Sequence, residues 1–139
     1  MKFRLKTRFK TCLFCIDVSF EEACNVINKI SEVLSMVENV FKLKKSSQKL
    51  IEKVIMDENI HYMHMVFGKD DSLPTHFTNS NVYMTVLRGN LSIDLNEKGF
   101  HDYESGTVLT IPLGTRMTVK NKSEEVLEIT VVKAPAPKD

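Results

Sequence analysis

Two stretches punctuated by glycine decide the fold: GKDDSLPTHFTNSNVYMTVLRG (residues 68–89) and GTVLTIPLGTRMTVKN (residues 106–121). Both combine apolar and β-branched runs with glycine, proline and asparagine, which is typical of short strands joined by turns. Neither stretch leaves room for a helix between its turn residues. The centre of the chain therefore predicts a β domain.

The spacing of these turn residues resembles the two conserved motifs of the cupin superfamily. The matching positions are His76 and Gly89 in the first stretch and Gly106, Pro112, Gly114 and Asn121 in the second. The segment between Gly68 and His76 is longer than in the family. The resemblance covers about residues 48–134 and implies a double-stranded β-helix, or jelly-roll barrel. We predict a mainly β fold of this cupin type, preceded by an N-terminal strand and one amphipathic helix.

The resemblance also implies a metal site inside the barrel, but this chain departs from the family at three of the four ligand positions. Thr78 and Met117 stand where histidines are expected, and Val82 stands at the glutamate position; His76 is retained. This set carries no negative charge to offset a divalent cation. We therefore predict that no metal cofactor is bound, and that the barrel binds a small, partly apolar ligand.

The predicted ligand pocket follows from the motif positions and from the alternation of side chains along a strand. We expect polar contacts from His76, Thr78 and Asn81, and an apolar wall formed by Val82, Met84, Val86 and Met117. No nucleophile and base can be paired from their spacing. The catalytic residues are therefore unknown, and enzymatic activity stays open.

Two metal-binding alternatives remain. His61 and His64 are three residues apart on one predicted strand, so at most one of them can face the barrel and join His76. Alternatively, the thioethers of Met84 and Met117 with His76 would suit Cu(I), a soft cation. Either site would favour a metal-dependent cupin enzyme of dioxygenase or isomerase type. A third hypothesis is a non-catalytic structural or oligomerisation module.

The N-terminal third is predicted to be an extension of the barrel. Residues 2–10 alternate between apolar and basic side chains, which indicates a half-buried strand. The sequence from Ser19 to Glu22 is typical of a capping box and predicts an amphipathic helix over residues 20–41. The predicted division is 1–47 for extension and linker, 48–134 for the barrel and 135–139 for a proline-rich tail. Cys12, Cys15 and Cys24 are interpreted as free buried thiols.

The barrel sequence predicts seven or eight strands. Clear candidates are residues 51–56, 60–67, 82–87, 91–96, 107–111, 115–120 and 125–133. Residues 96–99 predict a hairpin turn in which Gly99 adopts a positive φ. His101 is expected at the surface, and Glu97, Asp102 and Glu104 are interpreted as surface charges in or near turns.

Composition limits the classes of function. The 139 residues carry a net charge of +1, which gives no strong field for nucleic acid or for an anionic membrane. No apolar run approaches the length of a membrane-spanning helix. Three cysteines, an odd number, favour a reducing compartment, so we expect a cytoplasmic protein. The resemblance implies a homodimer.

Overall fold

The computed structural model describes residues 19–35 and 37–138, which contain one helix and nine strands. The predicted strand over residues 2–10 and the cysteines at positions 12 and 15 lie outside the described residues. The chain divides into two compact units, Met1–Val40 and Phe41–Asp139. The second unit contains all nine strands.

Helix α1 spans Phe20–Ser35 and begins with the predicted capping box. The Glu22 amide donates a hydrogen bond to the Ser19 hydroxyl (3.3 Å), and the Ser19 amide donates one to the Glu22 carboxylate (3.2 Å). The predicted end at residue 41 is wrong. Residues 37–41 include two valines and a phenylalanine, which favour a helix less than straight side chains do. No helix in the described part of the chain is both long and apolar enough to cross a bilayer.

The strands form two antiparallel sheets. They are β1 Leu50–Met56, β2 His61–Phe67, β3 His76–Phe77, β4 Val82–Arg88, β5 Asn90–Leu95, β6 Phe100–Glu104, β7 Val108–Ile111, β8 Arg116–Lys120 and β9 Leu127–Lys133. The larger sheet has the order β1-β2-β9-β4-β7, and the smaller has the order β3-β8-β5-β6. Within each of the two sheets, strands that are distant in sequence pair with each other, which is the arrangement of a jelly roll. The predicted mainly β fold is therefore confirmed.

The sequence prediction lacks two of these strands, β3 and β6. Asp102 and Glu104, interpreted as charges in or near turns, lie within β6 and are in register with Ser92 and Asn90 of β5. The Ser92 hydroxyl donates a hydrogen bond to the Asp102 carboxylate. β6 is an edge strand and is mostly polar, so it lacks the alternation by which strands are recognised. His101 is exposed, as expected.

The core of the barrel is one apolar cluster contributed by both sheets. Its buried members are Met65, Phe67, Val82, Met84, Val86, Leu91, Ile93, Ile111, Met117, Val119, Leu127, Ile129 and Val131. Most of them alternate along their strands with more exposed residues, so each strand contributes one face to the core. Burial of these side chains is the main source of the barrel's stability.

Two of the motif residues stabilise the backbone of the barrel. Gly89 has a φ of 77°, and a Cβ atom at this position would lie 2.3 Å from the Val126 carbonyl oxygen. The fully buried Asn121 amide nitrogen lies 3.2, 3.1 and 2.7 Å from the carbonyl oxygens of Phe67, Gly68 and Glu125. These two motif positions, Gly89 and Asn121, are therefore occupied for structural reasons.

Candidate functional site

A cavity of about 40 Å³ lies inside the barrel. Its lining combines four methionines with other apolar residues and three polar ones: Met63, Met65, Val82, Met84, Val131 and Lys133 from the larger sheet, and Leu73, His76, Thr78 and Met117 from the smaller sheet and its loops. A space of this volume holds a water molecule or a few non-hydrogen atoms. The cavity is therefore predominantly apolar, with a small number of polar groups.

The register of the strands brings the lining residues together. Val131 of β9 is in register with Met63 of β2 on one side and with Met84 of β4 on the other. In the other sheet, His76 of β3 is in register with Met117 of β8. Residues in register on adjacent strands share a face. Two rows of side chains from different sheets thus contribute to one cavity.

His76 lies at the exposed margin of the cavity. Its Nδ1 atom is 2.8 Å from the Pro74 carbonyl oxygen. Because a carbonyl oxygen only accepts hydrogen bonds, the hydrogen of the neutral imidazole is assigned to Nδ1. This assignment leaves Nε2 as an acceptor, available to a ligand.

Thr78 is buried and makes hydrogen bonds that stabilise a turn. Its hydroxyl donates to the Pro112 carbonyl oxygen (2.7 Å) and accepts from the Thr115 amide (2.9 Å). The single hydroxyl hydrogen is therefore already used. Thr78 forms part of the cavity wall but has no free donor to offer a ligand.

Lys133 is a functional candidate that the sequence analysis missed. It is half-buried at the end of β9, and its Nζ donates a hydrogen bond to the Asn79 side-chain oxygen at 2.8 Å. Burial lowers the pKa of the Lys133 ammonium from its ordinary value. The signal was present in the alternation of β9, where Leu127, Ile129 and Val131 face the core and Lys133 takes the next inward position.

Two of the predicted pocket residues do not line this cavity. Asn81 is exposed, and its side-chain oxygen accepts a hydrogen bond from the Leu113 amide at 3.1 Å. Val86 is fully buried in the apolar cluster. The other five predicted residues, His76, Thr78, Val82, Met84 and Met117, all line the cavity.

The two histidines of β2 do not join His76. His64 is fully buried away from the cavity, with Nδ1 3.3 Å from a Glu52 carboxylate oxygen and Nε2 2.7 Å from a Glu128 carboxylate oxygen. The hypothesised pair of His64 with His76 is therefore not formed, since both ring nitrogens of His64 are engaged elsewhere. His61 is partly buried and is not among the residues lining the cavity.

The residues of the cavity do not fit a divalent transition metal. Among residues 19–35 and 37–138, no three His, Cys, Asp or Glu side chains are grouped so that they could hold a metal ion. The cavity offers one imidazole, one ammonium and a hydroxyl whose hydrogen is already bonded, and no carboxylate. A nearby ammonium opposes a cation, and thioethers are poor ligands for iron, manganese or zinc.

A larger groove of about 520 Å³ lies elsewhere, lined by Lys45, Ser46, Ser47, Arg88 and Glu128. Two of its three charged residues pair with each other, with Arg88 Nε 3.3 Å from a Glu128 carboxylate oxygen. Arg88 also donates a hydrogen bond to the Ser46 carbonyl oxygen at 3.0 Å. Arg88 and Glu128 are thus engaged within the chain, and the inner cavity, which combines apolar walls with a few polar groups, is the better candidate for a binding site.

Comparison with known proteins identifies the family. No family model matches the chain. An uncharacterised protein of Methanocaldococcus jannaschii is 31% identical over 104 residues, which are 74% of this chain and 90% of that protein. The crystal structure of the M. jannaschii protein, described as an RmlC-like cupin with a double-stranded β-helix fold, aligns with a TM-score of 0.71 and covers 74% of this chain and 95% of that one.

Two more distant structures show the same fold. A cupin superfamily protein of Desulfitobacterium hafniense is 13% identical, with a TM-score of 0.58. The alignment covers 67% of this chain and 83% of the D. hafniense chain. A conserved protein of Klebsiella pneumoniae with a double-stranded β-helix domain is also 13% identical, with a TM-score of 0.60. The alignment covers 68% of this chain and 83% of the K. pneumoniae chain. These two structures support the fold alone, whereas the M. jannaschii relative shows that the chain belongs to the RmlC-like cupin family.

Proposed function

We propose that this cupin binds a small, partly apolar ligand in the barrel cavity without a metal ion. The observation that carries the proposal is the composition of the cavity wall, in which apolar side chains surround a few polar groups. Binding sites for small molecules have this composition. The polar groups with capacity left for a ligand are His76 Nε2 and the ammonium of Lys133.

The size of the cavity limits which part of a ligand enters it. A volume of about 40 Å³ is far smaller than the roughly 300–1,000 Å³ typical of whole-ligand pockets. A ligand would therefore insert one short apolar end, and its remainder would lie at the margin near His76. Methionine side chains are flexible and repack easily, so the four lining methionines support adaptation to the inserted group.

A binding role is better supported than a catalytic one. A catalytic histidine is commonly oriented by a carboxylate, which stabilises its protonated form. The Nδ1 atom of His76 contacts a backbone carbonyl oxygen instead. Within the described residues, no serine or cysteine lines the cavity.

Methionine methyl NMR tests the proposal directly. The protein would be labelled with [¹³C-methyl]methionine, freed of metals with a chelator and titrated with a panel of small organic compounds. We expect some compounds to shift Met63, Met65, Met84 and Met117, while the exposed Met56 serves as an internal control. The proposal fails if no compound shifts the four lining methionines selectively.

A matched variant separates cavity binding from surface effects. Val82→Leu adds one methylene beside the cavity and should weaken the binding of any compound that enters it. The substitution should lower the free energy of unfolding by at most about 3 kcal/mol. Val108→Leu, at an exposed position of β7, is the control and should leave binding unchanged. Equal binding by both variants would contradict insertion into the cavity.

The exposed apolar side of α1 favours a second function, self-association. Phe20, Ile27, Ile30 and Leu34 recur at helical spacing and are all exposed. An apolar stripe of this kind is usually buried against another surface. A second copy of this chain would supply an identical stripe, and homodimers are the commonest assemblies.

A further inference from the structure

We propose that the ligand of the cavity is a short-chain monocarboxylate, bound through its carboxylate by Lys133 and through its alkyl end by the lining methionines. This inference rests on the proposed function and names the chemical class of its ligand. It is carried by the position of Lys133 at the cavity and by the absence of a carboxylate among the cavity's lining residues.

The placement of Lys133 puts a cation on the inner side of the sheet. Lys133 is in register with Val82 of β4 and with His61 of β2. Val82 is buried, and it lines the cavity together with Lys133. Since residues in register share a face, the lysine side chain starts from the core side of the sheet.

The charge of Lys133 has no counterion within the described residues. Its Nζ donates to the neutral amide of Asn79, and burial is the cause of its lowered pKa. His61, the ionisable residue in register beside it, cannot compensate a positive charge. Asp57, whose carboxyl pKa is lowered mainly by hydrogen bonds from the amides of residues 60 and 59 and to a smaller extent by the charge of His61, forms no ion pair with Lys133 within the described residues.

A partly buried cation without a counterion destabilises the folded protein unless a ligand compensates it. A bound carboxylate would supply the missing charge and would accept the hydrogens of Nζ that Asn79 does not use. The next inward row along the strands contains Met84, Val131 and Met63, two residues or about 7 Å further into the barrel. An acid of about four or five carbon atoms would span this distance.

Calorimetric titration of the full-length protein tests the inference. The probes are acetate, propionate, butyrate and pentanoate, each compared with its primary amide, in a buffer free of carboxylates. Affinity should rise about fourfold with each methylene until the cavity is filled. Butyrate should bind about tenfold or more tightly than butyramide, since the amide carries no charge to pair with Lys133.

Two lysine variants provide the comparison. Lys133→Met keeps the length of the side chain and should abolish the preference for butyrate over butyramide. Lys98→Met, at an exposed position in the β5–β6 turn, is the matched control and should retain the preference. If Lys133→Met does not fold, the ¹⁵Nζ resonance of Lys133 in the unaltered protein provides the readout, and it should shift with butyrate but not with butyramide.

The outcomes distinguish the two proposals. If butyrate and butyramide bind equally and both shift the lining methionines, the carboxylate inference is overturned and the cavity function stands. A preference for butyrate that survives in Lys133→Met also overturns the inference. If neither the acids nor the amides bind, the carboxylate inference is overturned, and the compound panel decides separately whether the cavity binds other molecules.

Discussion

At the scale of single residues, His64 is a buried histidine held between two carboxylates. It is fully buried, and its two ring nitrogens each face a carboxylate, that of Glu52 or that of Glu128. Glu52 also accepts a hydrogen bond from the Lys44 amide at 3.2 Å. This network of hydrogen bonds connects the segment that precedes β1 to the larger sheet.

The network predicts that Glu52 contributes to acid sensitivity. The pKa of the Glu52 carboxyl lies below its ordinary value of 4.5, chiefly because it accepts the Lys44 amide and then because of His64. Between the lowered pKa of the folded protein and the ordinary pKa of the unfolded chain, Glu52 binds more protons in the unfolded chain. The stability that Glu52 contributes is therefore present above pH 4.5 and decreases as the pH falls below that value. Glu52→Gln should reduce the loss of stability between pH 7 and pH 3, measured as the shift in urea midpoint.

The control for this prediction is Glu58→Gln at an exposed loop position. It should lose as much stability on acidification as the unaltered protein does. Both variants retain Asp57, whose pKa is also lowered by backbone amides, so neither should become fully independent of pH. An equal response of the two variants to acid would contradict the assigned role of Glu52.

The lining of the candidate cavity could be anticipated from the sequence only in part. The motif comparison selected His76, Val82 and Met117, and the alternation of side chains along the strand added Met84. It did not indicate that the Thr78 hydroxyl is committed to a turn, because this depends on a contact with residues more than thirty positions away. Lys133 was overlooked because a lysine at the end of a strand usually faces solvent.

At the scale of structural elements, the turn between β4 and β5 tests the account of the barrel motif. Gly89→Ala would place Cβ against the Val126 carbonyl oxygen and require a positive φ from alanine. We expect a loss of about 3 kcal/mol or more in the free energy of unfolding, measured by urea denaturation. Gly99→Ala has the same positive φ requirement but open space around it, and should cost only about 1 kcal/mol. Similar losses for both would contradict the steric explanation.

The elements with strong periodic patterns were predicted best. The long apolar strands β1, β2, β4, β5 and β9 and the start of α1 agree with the prediction within a few residues. The missed strands lack that pattern, since β3 has two residues and β6 is a mostly polar edge strand. Such strands form because a neighbouring strand offers free backbone hydrogen bonds, which a local sequence pattern does not report.

At the scale of the whole molecule, the division at Val40 predicts that the barrel is independent of the extension. Residues 41–139 retain the segment hydrogen-bonded through Lys44 and Ser46, and this fragment should keep the urea midpoint of the full chain. If α1 mediates self-association, light scattering should give a dimer for the full chain and a monomer for the fragment. A dimeric fragment would contradict a role for the helix in assembly.

Point variants of the full chain check the same prediction. Ile27→Lys introduces a charge into the apolar stripe of α1 and should dissociate the proposed dimer. Asn25→Lys adds the same charge at an exposed position on the other side of the helix and should leave the proposed dimer intact. Dissociation by both variants would indicate a general charge effect and would count against the stripe.

The central claim is that this cupin retains the barrel of its family while its cavity has lost the ligands for a metal. Elemental analysis tests it most directly, after separate incubation with Fe²⁺, Mn²⁺, Zn²⁺ or Cu⁺ under reducing conditions and removal of unbound ions. The account predicts far less than one retained ion per chain for every metal. About one ion per chain that is lost in His76→Ala would contradict it, and retention of Cu⁺ alone would identify a soft site formed by His76 and the methionines.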